Sequence, residues 1–431
     1  MHAYAHTRHV RFTAIAIAIA LIGVMATPGV TVAKQVWPTG YEQTAKLLAS
    51  DGATDDLNGY SVGIDGETAV TGAPYHDAIA ADAGAAYAYI KDATGWTLDT
   101  PLSGSTIGFD DRFGQSVAIS GDRIIVGAPR DDDLGTDTGA AYIFVRTAEG
   151  WAEEAKLLPV GGIDFGRAGA AVDIDGDTAI FSGGRRLFVF TLTAEGWEQQ
   201  DVLLSPYAPA YDSFGTSIAI DGDTIIAGAH GFQSYYDEGR AHIFTRSAGV
   251  WTHEATLAAS DGISNDQFGF AVDVDGDTAL VGAWGCDDAA LASGAAYVFV
   301  RSTGIWTETY KLTAEEPGSY DYYGYFVSLS EQVAAVGSHG DDDLAIEAGA
   351  THLYDSANGF AFLEKLTTAD GTEGDLFGNC DVSGETVIAG AIGSDALAPD
   401  AGAAYVFERA VGKPGNAQGP KKAAAMTAGV Q

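Results

Sequence analysis

The side chains in this 431-residue chain that could do chemistry are mostly carboxylates on short, glycine-flanked segments. Two runs stand out: Asp131-Asp132-Asp133 with Asp137 close behind, and Asp341-Asp342-Asp343 with Glu347. Several hard oxygens on one flexible loop suit calcium, so these six aspartates are the candidate metal ligands and calcium the candidate cofactor. Solvated surface charge is the competing reading. Asp173, Asp175, Gly176 and Asp177 imitate a calcium loop but lack its length and further oxygens, and read as a hairpin turn with exposed carboxylates. Gly59-Tyr60-Ser61-Val62-Gly63 spells a hydrolase nucleophile elbow, which needs a strand–turn–helix setting. The same position later reads Gly114-Gln115-Ser116-Val117, so the match belongs to a repeat. His76, His230, His242, His253, His339 and His352 are scattered without metal-ligand spacing. Paired CxxC motifs, a phosphate loop and a dinucleotide fingerprint are all absent from the sequence. No catalytic or cofactor-binding residue is assigned, and the sequence predicts a protein that is not an enzyme.

The charge balance bounds the partners. Lys and Arg number 22 against 59 Asp and Glu, a net charge of −37. Such a surface repels a phosphate backbone, which excludes nucleic acid. Cationic ligands, metal cations or solubility in a salty medium fit better. Two cysteines, Cys286 and Cys380, make no disulfide framework.

These residues must be positioned by short strands, because one block recurs along the chain. Its clearest copy reads Asp111-Arg112-Phe113-Gly114, then Ser116 to Ile119, Ser120-Gly121-Asp122, Ile124 to Val126 and Gly127-Ala128-Pro129. An acidic loop follows, then Gly139 to Phe144, and finally Gly150-Trp151 leading to Lys156-Leu157. The first glycine of each copy is Gly59, Gly114, Gly169, Gly215, Gly269, Gly324 and Gly378, giving spacings of 55, 55, 46, 54, 55 and 54. Each copy has room for four strands, the size of a propeller blade. The third is short because Ser182-Gly183-Gly184 runs almost straight into Leu187.

Strands one and two flank dipeptides such as Asp65-Gly66, Asp175-Gly176, Asp221-Gly222 and Asp275-Gly276, which suit a type I′ hairpin turn. Strand four starts with Trp96, Trp151, Trp197, Trp251, Trp306 or Phe360, expected to anchor one blade on another. An aspartate precedes the repeat glycine by three residues at Asp56, Asp111, Asp212, Asp266, Asp321 and Asp375, and is expected to satisfy backbone N–H groups there. Gly40 to Leu47 matches Gly150 to Leu157, a lone fourth strand, whereas the last copy stops after its third, Tyr405-Val406-Phe407. The N-terminal strand should therefore complete the last blade and close the ring. The fold class is all-β, a seven-bladed propeller of four-stranded antiparallel blades.

The Phe113-Gly114 and Gly127-Ala128-Pro129 pair, recurring with drift, resembles the FG-GAP repeat of integrin α-subunit propellers, and more closely its bacterial, exported version. The resemblance spans roughly residues 40–409 and implies a binding or adhesion role. Integrin propellers hold calcium in a long loop between strands one and two; here that loop is a tight turn. Gly-Ala-Pro is intact only at 72–74 and 127–129, its proline elsewhere replaced by His230, Trp284, His339 or Ile392.

Residues 1–33 read as a signal peptide, with Arg8 and Arg11 before an apolar run to Met25 and cleavage after Ala26 or Ala33. The propeller is assigned to 37–409 and a disordered tail to 410–431. This predicts an exported monomer, secreted, periplasmic or cell-surface, with no transmembrane segment once the signal is removed. Long connections between strands two and three, and between blades, collect acid at 131–133, 341–343, Asp287-Asp288, Asp395 with Asp400, and Asp237-Glu238. One face is expected to be irregular and electronegative and to recognise a protein or cell-surface ligand. A mainly structural acidic propeller and a propeller hydrolase or lyase with a central-funnel site are the alternatives.

Overall fold

A computed structural model describes residues 40–207, 213–231 and 238–410. They form seven four-stranded antiparallel sheets. Blade 1 runs Ser61–Asp65, Thr68–Ala73, Ala85–Asp92 and Gly95–Leu102, and the next five repeat this order. Blade 7 orders Phe377–Ser383, Thr386–Ala391 and Ala403–Arg409, with Tyr41–Leu47 as its outer strand. That strand pairs Tyr41 with Arg409 and Leu47 with Ala404, which is the closure expected from sequence. The first strand of every blade contacts the first strands of both neighbours, blade 7 against blade 1 included, so these seven strands line the axis. The expected signal peptide, Asp212, Asp237 and the tail after Ala410 lie outside the described residues.

The apolar core is not one centre. Buried side chains fall into seven wedges, each between two adjacent blades. Phe113, Tyr142 and Phe144 of blade 2, for instance, pack on Val70, Ala86, Ala88 and Leu102 of blade 1. A sheet with both faces buried needs apolar residues at consecutive positions, which explains why middle strands such as Thr224–Ala229 are buried throughout.

The two glycines of the repeat meet across these wedges. A side chain on Gly127 would strike the Gly169 carbonyl of the next blade, and the same holds for Gly72 on Gly114, Gly228 on Gly269, Gly282 on Gly324, Gly337 on Gly378 and Gly390 on Gly59. Most of the first glycines also have positive φ, +90° at Gly114 for example, which L side chains adopt at a cost. The signature is thus a contact between successive copies, and it sets blade spacing.

Two expectations change. The two central residues of the strand one–two turns are Gly66-Glu67, Gly176-Asp177 and their equivalents, because Asp65 already pairs with Thr68 and Asp175 with Thr178. Positive φ occurs only at the first central residue, +57° at Gly66, the pattern of a type II′ rather than a type I′ turn. This leaves the preceding aspartate free to point at the neighbouring blade. Nor are Asp173 and Asp175 exposed: both are half-buried beside the axis. The two cysteines are buried free thiols in different blades.

Outer strands carry one bulge each, which bends the exposed edge away from further pairing. In blades 2, 3 and 4 the bulged residue reaches the next blade. Glu154 accepts from Trp197 Nε1 (3.0 Å), Gln200 from Trp251 Nε1 (3.1 Å) and Glu254 from Arg301 (3.1 Å). Trp197 and Trp251 therefore tie blades together, as expected of the strand-four aromatics.

Candidate binding face and axial carboxylates

The long connections share one side of the disc, where each strand two–three loop is sewn to the link entering the next blade. Arg112 and Phe113 N–H donate to the Asp82 and Ala83 carbonyls, and at the ring closure Leu57 and Asn58 donate to Asp400 and Ala401. Six such parallel bridges are present among the described residues, none of them made by the shortened strand two–three connection of blade 3.

Acid on these loops is largely committed to the fold. Asp56, Asp111, Asp266, Asp321 and Asp375 each accept the backbone N–H three residues earlier at 2.6–3.0 Å, the turn role expected for them. Burial raises the Asp111 carboxyl to about 6 against that hydrogen bond. The six candidate metal ligands come together as two equivalent triplets, in blades 2 and 6. Asp132 and Asp342 accept the N–H five residues on, both at 2.7 Å. Buried Asp131 and exposed Asp133 grip Lys156 Nζ at 2.6 and 2.5 Å; Asp341 and Asp343 grip Lys365 at the same distances. Burial alone would lower the Lys156 pKa, but its hydrogen bonds to Asp131 and Asp133 outweigh this and raise it. Lys311 sits likewise between Asp261 and Asp288. A tethered ammonium thus supplies the positive charge in each triplet. No group of three or more potential ligands is arranged around a metal position among the described residues. The tight strand one–two turns do not fit an integrin-type calcium cage either.

At the axis the structure gathers carboxylates that sequence reading did not single out. The strand-one position three residues before the first central residue of the strand one–two turn reads Gly63, Ala118, Asp173, Ala219, Asp273, Ser328 and Asp381 from blade 1 to blade 7. Each aspartate bridges to the following blade. Ile220 N–H donates to Asp173 (2.7 Å), Leu329 N–H to Asp273 (2.6 Å) and Ile64 N–H to Asp381 (2.7 Å). The second oxygen of each accepts the next N–H of its own strand at 2.7–2.9 Å. The other four junctions use serine. Ser61 donates to the Gly114 carbonyl, Ser116 accepts from Val172 N–H, Ser217 from Val272 N–H and Ser328 from Val382 N–H. Burial raises Asp173 to about 7 and Asp381 to about 6, and pushes Asp273 well above the ordinary carboxylate range with help from the charges of Asp381 and Asp173.

Around the long-loop mouth of the axis lies an aromatic cluster. Tyr325 packs on His339 (ring centroids 4.2 Å apart) and Phe270 (4.5 Å); Tyr322 stacks on His339 and meets Trp284 edge-on. Outside it, the loop tips expose Ile79, Leu134, Leu291, Leu344, Ile346 and Leu397. Among the described residues, all large exposed apolar side chains except Val250, Ile305 and Tyr310 sit on the loops, links or strand ends of this side. Both ends of the described chain leave on the other side, where Ala410 N–H donates to the Gly40 carbonyl.

Seven radial sheets, sewn by paired glycines and closed by a borrowed strand, define a β-propeller. A sequence profile of the FG-GAP repeat matches residues 41–89, 96–144, 197–244, 251–299, 306–354 and 360–407, and the chain belongs to that family. Blade 3's second and third strands fall between matches. No curated protein matches the chain. Among solved structures it is similar to the "Crystal structure of the Saccharomyces cerevisiae Sqt1", at 9% identity over 84% of this chain and 98% of that one, with a TM-score of 0.46. No helix among the described residues is long and apolar enough to cross a membrane. Family and fold go with a binding or structural role.

Proposed function

We propose that this protein is an exported, non-enzymatic binding propeller that recognises a protein or cell-surface partner through its long-loop face. The carrying observation is the segregation of exposed apolar side chains. Loop tips such as Leu134 (52% exposed), Ile346 (59%) and Ile79 (56%) lie on the same side as the aromatic cluster of blades 5 and 6. Apolar patches of this kind on a rigid scaffold mark interaction surfaces. Carboxylates contribute mainly by holding the loops. Calcium is not required by this reading, because Lys156 and Lys365 already stand between the outer two aspartates of each triplet.

The funnel-enzyme alternative draws on Asp173, Asp273 and Asp381, but backbone amides occupy both oxygens of each, which suits a fastener better than an acid or base. The test compares adsorption of the labelled protein to the surface of its source cells. A Leu134→Ser, Leu344→Ser, Ile346→Ser variant should lose most binding, and a Val250→Ser, Ile305→Ser variant of the opposite face should keep it. Equal retention by both would sink the reading.

A further inference from the structure

Blade 3 departs from the others where they are most alike. Its second and third strands, Thr178–Gly183 and Arg186–Thr193, are joined by Gly184-Arg185 alone, so the crown of loops is interrupted there. The link entering blade 3 has no loop of its own blade beside it. Its side chains Val160 (71% exposed), Phe165 (67%) and Ile163 (48%) stand open to solvent. Gly184 N–H donates to the Gly166 carbonyl, which brings the turn against this link and places Arg185 near Arg167. Both arginines are exposed. Neither has an ion-pair partner among the described residues, unlike Arg112, Arg123, Arg130, Arg146, Arg246, Arg301 and Arg409, which all pair with carboxylates.

Two unpaired cations beside three exposed apolar side chains are unusual in a chain of charge −37, where carboxylates outnumber bases by 59 to 22. We infer that this breach is a docking notch for an acidic peptide segment of a partner protein, one carrying apolar residues among its carboxylates. Guanidinium groups bind carboxylates through two parallel hydrogen bonds, and the apolar residues bury against Val160, Ile163 and Phe165. At physiological salt the Debye length is about 8 Å, so the general negative field is screened while contacts inside the notch are not. Because the other loops present carboxylates at contact distance, an acidic segment is accepted only where it reaches the notch, which gives selectivity as well as affinity. This rests on the long-loop face being the binding face.

The experiment titrates the full-length protein against short fluorescein-labelled peptides at physiological salt, read by fluorescence anisotropy. One peptide has glutamates flanking a Leu-Phe pair; its controls replace the glutamates by glutamines, or Leu-Phe by Ser-Ser. The first should bind wild type tightest, and Arg167→Glu with Arg185→Glu should weaken it about tenfold. Val160→Ser with Phe165→Ser should remove its advantage over the Ser-Ser control. Unchanged melting shows that these surface variants are folded. Equal binding of the glutamate and glutamine peptides, or no effect of the arginine reversals, overturns the notch. So does self-association that the reversals abolish in sedimentation, which would make a second copy the occupant. Loss of cell binding in the loop-tip variant with peptide binding intact separates the two readings: the face then works and the notch with it. Intact cell binding by that variant, with the peptide results as expected, leaves the notch standing and removes the wider face.

Discussion

Replacing Asp173 by Asn should flatten the pH dependence of stability, and the sign can be worked out beforehand. Asp173 lies half-buried at the axis, and burial lifts its carboxyl to about 7, opposed only in part by the amides of Ile220 and Ile174. In the unfolded chain an aspartate titrates near 3.9. The folded state therefore holds the proton more tightly, and the carboxylate form burdens the fold. Stability rises as pH falls through about 7 and the gain is complete near 4, the reverse of ordinary acid denaturation. Raising the carboxyl from near 3.9 to about 7 is worth roughly 4 kcal/mol, at about 1.36 kcal/mol for each tenfold gain in proton affinity. Residual solvent contact at the axis cuts this to about half, roughly 2 kcal/mol. With an unfolding entropy of roughly 2.1 cal/mol/K per residue, a propeller of this length gains about 1.3 °C per kcal/mol, so the effect is about 3 °C. Carboxylates whose pKa is lowered by partners, such as Glu154 beside Arg123 and Asp370 beside Lys46, pull the other way and make absolute curves composite. The difference between wild type and Asp173→Asn isolates the axial group. Scanning calorimetry at pH 8, 7, 6, 5 and 4 should show wild type gaining about 3 °C on the variant on acidification. Parallel curves would refute the assignment of Asp173 as a protonation-sensitive fastener.

Three further outcomes follow from other contacts in the ring. Lys156→Ala strands the buried Asp131 charge and should cost about 3–5 kcal/mol in denaturant melts. Wild-type melting should not move between millimolar calcium and chelator, and a clear calcium-dependent rise would restore a metal to the aspartate triplets. Deleting residues 40–48 removes the outer strand of blade 7 with its buried Tyr41 and Leu47, and should cause a large drop in melting temperature with fast proteolysis at blade 7. A truncated protein that melts like the intact one is incompatible with a ring closed by that strand.

How legible was this in the sequence? The architecture was nearly all there, because a repeat states the same local solution many times and register errors average out. The Gly40 to Leu47 match to a fourth strand located the closure, since a strand without its own sheet has one free edge to join. The turn geometry was missed by one position: Asp-Gly is conspicuous as text, but pairing of Asp65 with Thr68 moves the turn onto Gly66-Glu67. The loop acids were visible, yet their partners were not, because Lys156 lies 25 and 23 residues from Asp131 and Asp133. The axial carboxylates could have been found by aligning the strand-one position three residues before the turn. There aspartate appears in blades 3, 5 and 7, where the position two residues earlier, serine in blades 1, 2 and 4, is Ala171, Ala271 or Asn379. Exposure of the loop tips had no such signal, since Leu134 and Leu344 look like core residues until the loops are placed.

That substitution pattern has a physical reading. Every junction between blades needs a polar group at the axis, because the ends of the inner strands present amides that no sheet partner reaches. Serine meets the need without charge. Aspartate does it with two oxygens, so it can hold an amide of its own strand and one of the next blade together. Carboxylates at all seven positions would repel across a narrow ring, and even three raise one another's proton affinity. Their placement in blades 3, 5 and 7, never in adjacent blades, keeps them as far apart as a seven-fold ring allows. The arrangement is what a set of fasteners requires. A catalytic pair, by contrast, would need two carboxylates close together with oxygens left free for a substrate.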